Sequence, residues 1–379
     1  MTDTAAPEPD AESAPHLAKG ARAGEWVLFY SASIVGAVAL SLVLVELTGG
    51  ESWPVISALL DGSVRSPGRW GETLGASAPL LLVALGTVIS GRAGLINIGQ
   101  EGQVLIGAAF ATYFGFQFGG AASVNLFVIL LFGAIGGALW AGIAALLRYW
   151  RGVPEVLTTL LLVFLAGQAV SYGLSREALL LAPSGSRGNR NLVSEQLAEG
   201  NRLPRLEVFG NELPTMVFVS VLLALLVAFA LAWTVWGFRI RTLGQNPNAA
   251  RRAGVSGARY GGTALLIGGG FAGLAGAAMF AGGGFAFGNY QLVPGFSANI
   301  GWTGLLVALV AQERALLAIP VAFIFASLRT SSSFVGSTGV EGRVTDIMEG
   351  LLTLALLIPP AVIFIRGRRR ARAASTART

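Results

Sequence analysis

The chain has no cysteine, a single histidine (His16) and a single lysine (Lys19) in 379 residues. The first absence removes disulfides and thiolate-based metal or redox centres, though it does not identify a compartment. One imidazole in a polar N-terminal stretch argues against a histidine zinc site or a histidine general base. A phosphate loop needs Gly-Lys-Ser/Thr, and Lys19 stands between Ala18 and Gly20, so the chain carries no P-loop ATPase site. No nucleophile–base pair or metal-ligand spacing stands out, and no cofactor is expected. Charge is also scarce, at 12% Asp, Glu, Lys and Arg against about 25% in soluble domains.

Apolar side chains and glycine are abundant. Hydrophobic residues make up 54% of the chain, with mean hydropathy +0.67 and 52 glycines. Apolar runs long enough to cross a hydrocarbon core of about 30 Å recur throughout. They fall at 26–47, 74–90, 102–119, 123–147, 156–174, 214–236, 260–283, 299–311, 314–328 and 345–365. The expected fold is an all-α polytopic membrane protein of about ten transmembrane helices. Two spans, 299–311 and 314–328, are short. They read as broken helices or as one long span kinked around Gln312, Glu313 and Arg314.

Residues 1–24, rich in Ala, Pro and acids, read as a disordered tail and lack the basic start of a signal peptide. The transmembrane domain is expected over 25–365, with a basic tail at 366–379. A net charge of +6 does not point to nucleic acid, because the arginines stand between and after the apolar runs. Ten spans put both termini on one side, together with the tail arginines, Arg148 and Arg151, and the cluster Arg239, Arg241, Arg251, Arg252 and Arg259. The positive-inside rule makes that side cytoplasmic. The loops 48–73 and 175–213 then lie outside, and 238–259 lies inside.

The stretch GLINIGQEGQ, residues 94–103, sets Asn97, Gln100, Glu101 and Gln103 at the start of an apolar run. A second polar interruption, TLGQNPNAARRAGVS, occupies 242–256. There Asn246 suits an N-cap, Pro247 the first helical position and Gly254 a left-handed helix end. The result is a helix of about two turns. On a wheel of 100° per residue Ala249, Ala250 and Ala253 share a smooth face, with Arg251 and Arg252 pointing away. Residues alone leave this as either a docking helix or an ordinary basic loop.

LGQNPNAARRAGVS, followed by the Gly/Ala-rich GGGFAGLAGAAMFAGG, resembles permease subunits of bacterial ATP-binding cassette importers. The match is closest to the branched-chain amino acid, simple sugar and nucleoside permease superfamily. Within it, GLINIGQEGQ followed by IGA is similar to the nucleoside branch, which depends on a basic membrane lipoprotein. The resemblance implies a plasma-membrane permease for nucleosides or related sugars and bases. It also implies a coupling element for the ATPase formed by Gly244, Asn246, Pro247, Ala249, Ala250, Ala253 and Gly254. Implied partners are separate ATPase subunits, a second permease chain and an external substrate-binding lipoprotein, for which 175–213 is a candidate surface. The chain departs from the family where an Asn-Glu pair is common, having Pro154-Glu155, and where an Asn-aromatic pair is common, having Val163-Phe164.

NIGQEG at 97–102 is echoed by NIGWTG at 299–304. Four matching residues in a glycine-rich chain can arise by chance. As an inverted repeat, however, the two copies would place helix breaks near a common binding site. Asn97, Gln100, Glu101, Gln103, Asn299 and Thr303 would then approach a central translocation pathway. The amides suit contact with a neutral polar substrate. Glu101 reads either as a structural or gating group capping its own helix or as a substrate contact. A transporter driven by an ion gradient is the alternative function, with Glu101 as its coupling carboxylate. Gly269, Gly273 and Ala277 form a small-residue ladder expected for close helix packing.

Overall fold

Small residues let the central helices approach to backbone contact, and that contact organises the fold. The computed structural model describes residues 51–118, 120–183, 192–283 and 290–337, with separate positions between 32 and 49 and between 347 and 358. The two tails, part of the span 26–47, most of the span 345–365, and the residues His16, Lys19, Asp346 and Glu349 lie outside the described residues.

Helix α1 (Ser52–Leu60) runs into a π-helical turn at Asp61–Arg65, followed by α2 (Arg69–Arg92), α3 (Gln100–Gln117), α4 (Ala122–Arg151) and α5 (Glu155–Leu174). A 3-10 turn at Glu199–Asn201 and an antiparallel hairpin, β1 (Arg205–Val208) with β2 (Asn211–Pro214), precede α6 (Met216–Trp233). Then come α7 (Val235–Gln245), α8 (Pro247–Arg252), α9 (Gly257–Gly282), α10 (Ile300–Val310) and α11 (Ala315–Gly336). Among the described residues six helices are long and apolar enough to cross a membrane: α2, α4, α5, α6, α9 and α11. The fold is an all-α polytopic membrane protein.

The expected small-residue ladder holds the centre. A Cβ added to Gly273 would lie 2.8 Å from Gly137 Cα and clash with the Gly133 carbonyl. On the same helix Gly268 meets Gly86 of α2, and Gly276 meets Val104 and Ala108 of α3. Helix α9 therefore touches α2, α3 and α4 backbone to backbone. Glycine is required here because any side chain would separate the helices.

Several expectations change. The loop 48–73 contains α1 and the π turn, and α2 starts at Arg69, five residues before the expected span. Its first turn is anchored by Arg69, which donates to the carbonyls of Gly62 and Thr330 at 2.9 Å each. The loop 175–213 is not structureless, because it holds the hairpin, whose turn is made by Phe209 (φ 49°) and Gly210 (φ 72°). No single kinked span covers 299–328. Gln312 and Glu313, both at φ 53°, make a tight left-handed turn between α10 and α11. Helix α11 also continues eight residues past the expected end, through the polar run Arg329–Ser333. Helical back-bonding from Thr330, Ser331 and Ser332 hydroxyls satisfies those groups.

Candidate functional site

The two NIGxxG segments meet. After α2 ends, Gly94 (φ +73°) turns the chain into an extended stretch that reaches α3 at Gln100. Neighbouring α5 holds this stretch: Ile96 N–H donates to Glu155 Oε1 at 3.4 Å and Ile98 N–H to Thr159 Oγ1 at 3.3 Å. Glu155, at the departure from the family pattern, is buried and ion-paired with Arg148. The second segment enters α10 through Ala298 (φ 45°) and Asn299 (φ 65°).

Glu101 joins the two. Its Oε1 accepts from the Ser297 hydroxyl and from Asn299 N–H at 3.2 Å, and its Oε2 accepts from Gly301 N–H at 2.7 Å. A carboxylate in the first turn of α3 thus caps a different helix, α10, whose own N-cap residue Asn299 makes no side-chain cap. Free N–H groups at a helix start carry partial positive charge, so the anion is stabilised by both helix ends at once. Gly301 permits the contact, since a Cβ there would overlap the Glu101 nitrogen and Cα. The structural reading of Glu101 thus changes only in the helix served: the buried carboxylate holds the start of α10 rather than the free N–H groups of α3.

The helices leave this junction in opposite directions. Helix α3 runs beside α9 to the edge-to-face rings of Phe116 and Phe280, near the end of α9. Helix α10 runs beside α2, with Gly304 against Val83 and the following Glu313 against Gly91. Its 11 residues span about 16 Å at 1.5 Å per residue. The junction therefore lies roughly half a hydrocarbon thickness from the Arg92–Glu313 end. At that end Arg92 Nε donates to the Glu313 carbonyl at 2.9 Å, and burial pushes the Glu313 carboxyl up against the opposing pull of Arg92.

The amides divide. Asn97 and Gln103 bond reciprocally, with Asn97 Nδ2 to Gln103 Oε1 at 3.0 Å and Gln103 Nε2 to Asn97 Oδ1 at 3.1 Å. Asn97 Oδ1 also takes Gly99 N–H at 3.0 Å. Both residues are buried, so this pair stiffens the break and does not open onto a pathway. Gln100 donates to Thr87 Oγ1 at 2.9 Å, and its buried Oε1 has no partner among the described residues. Asn299 is exposed, and the Thr303 hydroxyl donates back to the Asn299 carbonyl at 3.0 Å. The sequence reading missed Ser297 and Arg329, whose Nη2 donates to the Ala298 carbonyl at 2.5 Å.

The arginine-rich segment folds as its caps predict, with one correction. Asn246 Oδ1 accepts from Asn248 N–H at 3.1 Å and Ala249 N–H at 3.0 Å, Pro247 begins α8, and Gly254 sits at φ 78°. Ala249, Ala253, Arg251 and Arg252 are exposed, but Ala250 is fully buried. Ala250 therefore belongs to the chain's own core, its carbonyl accepting from Val255 N–H at 2.9 Å, and offers no surface to a partner. Six residues cannot be stable alone, so one face of α8 must be spent on its own chain. Gly244 packs against Arg92 and Gly94, at the root of the stretch that leads to Glu101.

The 175–213 loop is tied to the other arm of the junction. Ser194 N–H donates to the Leu292 carbonyl at 2.9 Å, and Leu197 N–H to the Tyr290 carbonyl at 2.9 Å. Ser194 Oγ accepts from Leu292 N–H at 2.8 Å, and Arg202 lies 4.0 Å over the Tyr290 ring. The strapped segment reaches Ala298 six residues later.

The sequence profile described as "Branched-chain amino acid transport system / permease component" matches residues 71–358. The chain is 29% identical to the guanosine ABC transporter permease protein NupP of Bacillus subtilis, over 91% of this chain and 96% of that one. It is 33% identical to the glucose ABC transporter permease protein TsgB13 of Haloferax volcanii, over 76% and 75% of the two chains. It is 26% identical to the nucleoside ABC transporter permease protein NupB of Lactococcus lactis, over 82% of each.

Proposed function

The chain belongs to this family of permease components, and on that premise we propose that it carries nucleosides, or related bases and sugars, across the plasma membrane. It is the permease subunit of an ATP-binding cassette importer and not itself an enzyme, since hydrolysis belongs to a separate subunit. The Glu101–Gly301 junction carries the pathway reading: two opposed helix starts meet near mid-depth on one buried carboxylate. Helix breaks that converge at this depth are where transporters expose backbone to a permeant.

The junction also has a mechanical connection on each side. The exposed α8 is the docking element for the ATPase, through Asn246, Pro247, Ala249, Ala253 and Gly254. Its movement reaches Glu101 through Gly244 and Gly94. The loop 192–203 is the docking surface for an external binding lipoprotein, and it pulls on 290–293 and so on Ala298 and Asn299. A second, different permease chain completes the pathway. Both termini and α8 face the cytoplasm, in keeping with the positive-inside distribution of arginine. Nucleosides are favoured by the names of several relatives, while Val163 and Phe164 mark where preference diverges from close kin. Val163 packs against Gly102 at the start of α3, and Phe164 is exposed.

Vesicle reconstitution tests this. The chain assembled with its ATPase, second permease and binding protein takes up labelled nucleoside when ATP is enclosed on the ATPase side, and not on a proton or sodium gradient alone. Uptake by the isolated chain on an ion gradient, with no ATPase present, would sink the reading.

A further inference from the structure

Helix α9 carries an exposed arginine, Arg259, in its first turn. At 100° per residue Arg259, Thr263, Leu266, Gly270 and Leu274 fall on one face of α9. The Thr263 hydroxyl donates to the Tyr260 carbonyl at 3.0 Å, so it is satisfied within the helix and does not interrupt that face. Beyond it the face floors a groove of about 400 Å³, lined by apolar residues alone. Ala134 and Ala138 of α4 and Leu223 of α6 form its walls. Leu266 and Leu274 lie about 10 and 22 Å along the helix from Arg259 at 1.5 Å per residue. One leaflet with its headgroup layer is about 20 Å deep. The groove therefore has the reach of one acyl chain.

A second arginine joins the first at the end of the groove. Tyr260 is buried, and the guanidinium carbons of Arg239 on α7 and Arg259 lie 5.4 and 5.9 Å from its ring centroid. Arg239 also donates to the Tyr260 hydroxyl. Both arginines are exposed, so one ring gathers two like charges at the surface. Cations held this way repel each other, and an anion between them turns that repulsion into attraction. The depth suits a headgroup. Trp233, which ends α6, and Phe238 on α7 are exposed, and exposed tryptophan belongs at the membrane–water interface. The positive-inside rule accounts for arginine anywhere in these loops. What sets this pair apart is the apolar groove that continues from Arg259 along one helix face.

We propose that this is a binding site for one anionic phospholipid, its phosphate between Arg239 and Arg259 and one acyl chain in the groove over Leu266, Gly270 and Leu274. A zwitterionic lipid offers the same chain, but its own ammonium competes for the phosphate, so the site prefers a headgroup of net negative charge. The bound lipid ties α7 to α9. Helix α7 passes through Asn246 directly into α8. The lipid thereby steadies the base of the docking helix, a consequence that rests on the role proposed for α8. That role fails separately, if Ala249→Glu leaves ATPase co-purification intact.

The test uses the complete transporter in phosphatidylcholine vesicles. Trace phosphatidylglycerol, or trace phosphatidylcholine, carries a photoreactive group on one acyl chain. Crosslinks mapped by mass spectrometry should fall on 266–274 with phosphatidylglycerol and be several-fold fewer with phosphatidylcholine. Each arginine strengthens attraction to anionic lipid about fivefold, so Arg239→Gln with Arg259→Gln should weaken phosphatidylglycerol labelling about 30-fold. Excess inorganic phosphate, which has no chain for the groove, should not compete. Equal labelling by the two lipids, labelling that survives the double substitution, or loss of labelling to inorganic phosphate would each overturn the proposal. So would a groove that neither lipid labels in the assembled complex, which would assign it to a helix of the second permease. A second measurement needs no variant. Hydrogen exchange of 235–245 should slow several-fold when phosphatidylglycerol is added to wild-type complex, and unchanged exchange would refute the tie between α7 and α9.

Discussion

Replacing Glu101 with Gln tests the junction at its most connected atom. The carboxylate accepts three hydrogen bonds through two oxygens, from Ser297, Asn299 N–H and Gly301 N–H. Glutamine is nearly isosteric but has one acceptor oxygen, and its NH2 cannot accept. If Oε1 stays with Ser297 and Asn299, Gly301 N–H is left buried without a partner. An unsatisfied buried donor costs about 1–3 kcal/mol, and loss of the charge–dipole interaction adds about 0.3–1 kcal/mol. The combined loss is centred near 2–3 kcal/mol, or about a 30- to 150-fold change in a local opening equilibrium. Hydrogen exchange of the 297–304 peptide in detergent-solubilised complex reads it directly. Exchange should accelerate by that factor, while peptides from the α9 core, which share no partner with Glu101, stay protected. Unchanged exchange at 297–304, combined with altered permeant preference, would refute the capping role and make Glu101 a substrate contact.

Three other outcomes follow from packing and charge. Gly301→Ala pushes Cβ into the Glu101 backbone, so the helix starts must separate; overpacking of about 1–3 kcal/mol should lower the melting temperature by several degrees and abolish uptake. Ala249→Glu, on the exposed face of α8, should leave the fold intact but prevent co-purification of the ATPase. Ala250→Glu should instead destabilise the chain itself, because Ala250 is fully buried; equal folding yields for the two would contradict the orientation of α8. Burial raises the Glu313 carboxyl above its unfolded value, so its stabilising contribution is present in acid, below the unfolded value, and is lost as pH rises through the folded one. Glu313→Gln should therefore raise the melting temperature near neutral pH, with the gain shrinking as the buffer approaches the ordinary glutamate range near 4.3.

Hydropathy made the spans legible because an apolar helix must satisfy its backbone internally, wherever its neighbours lie. The ends of α8 were legible for a similar reason. Asn246, Pro247 and Gly254 act through local backbone geometry. What escaped the sequence depends on tertiary partners. The face that Ala250 presents is set by the core that α8 packs on, so a helical wheel groups it with Ala249 and Ala253 without saying which is buried. The pairing of Asn97 with Gln103 closes a turn into a helix, and isolated amides look the same whether they bond each other or a ligand. Glu101 was expected to serve the helix it begins, but Gly301 lets another helix start come closer. The run Ser-Leu-Arg-Thr-Ser-Ser-Ser at 327–333 lowered the hydropathy enough to end the expected span at 328. The hydroxyls of Ser327, Thr330, Ser331 and Ser332 bond back to helix carbonyls, so the helix continues and carries Arg329 to the elbow.

The contacts along α9 leave no compressible layer between it and α2, α3 and α4. Where Gly268, Gly273 and Gly276 meet their neighbours, carbonyls and Cα atoms already touch, so no rotamer change can absorb sliding at those points. Close backbone contact of this kind makes the four helices the stiff part of the chain, with the left-handed turns at 94, 298–299 and 312–313 at its edge as the places where movement costs least. The same glycines that make the centre dense thereby confine the transport stroke to a few hinge residues at its edge.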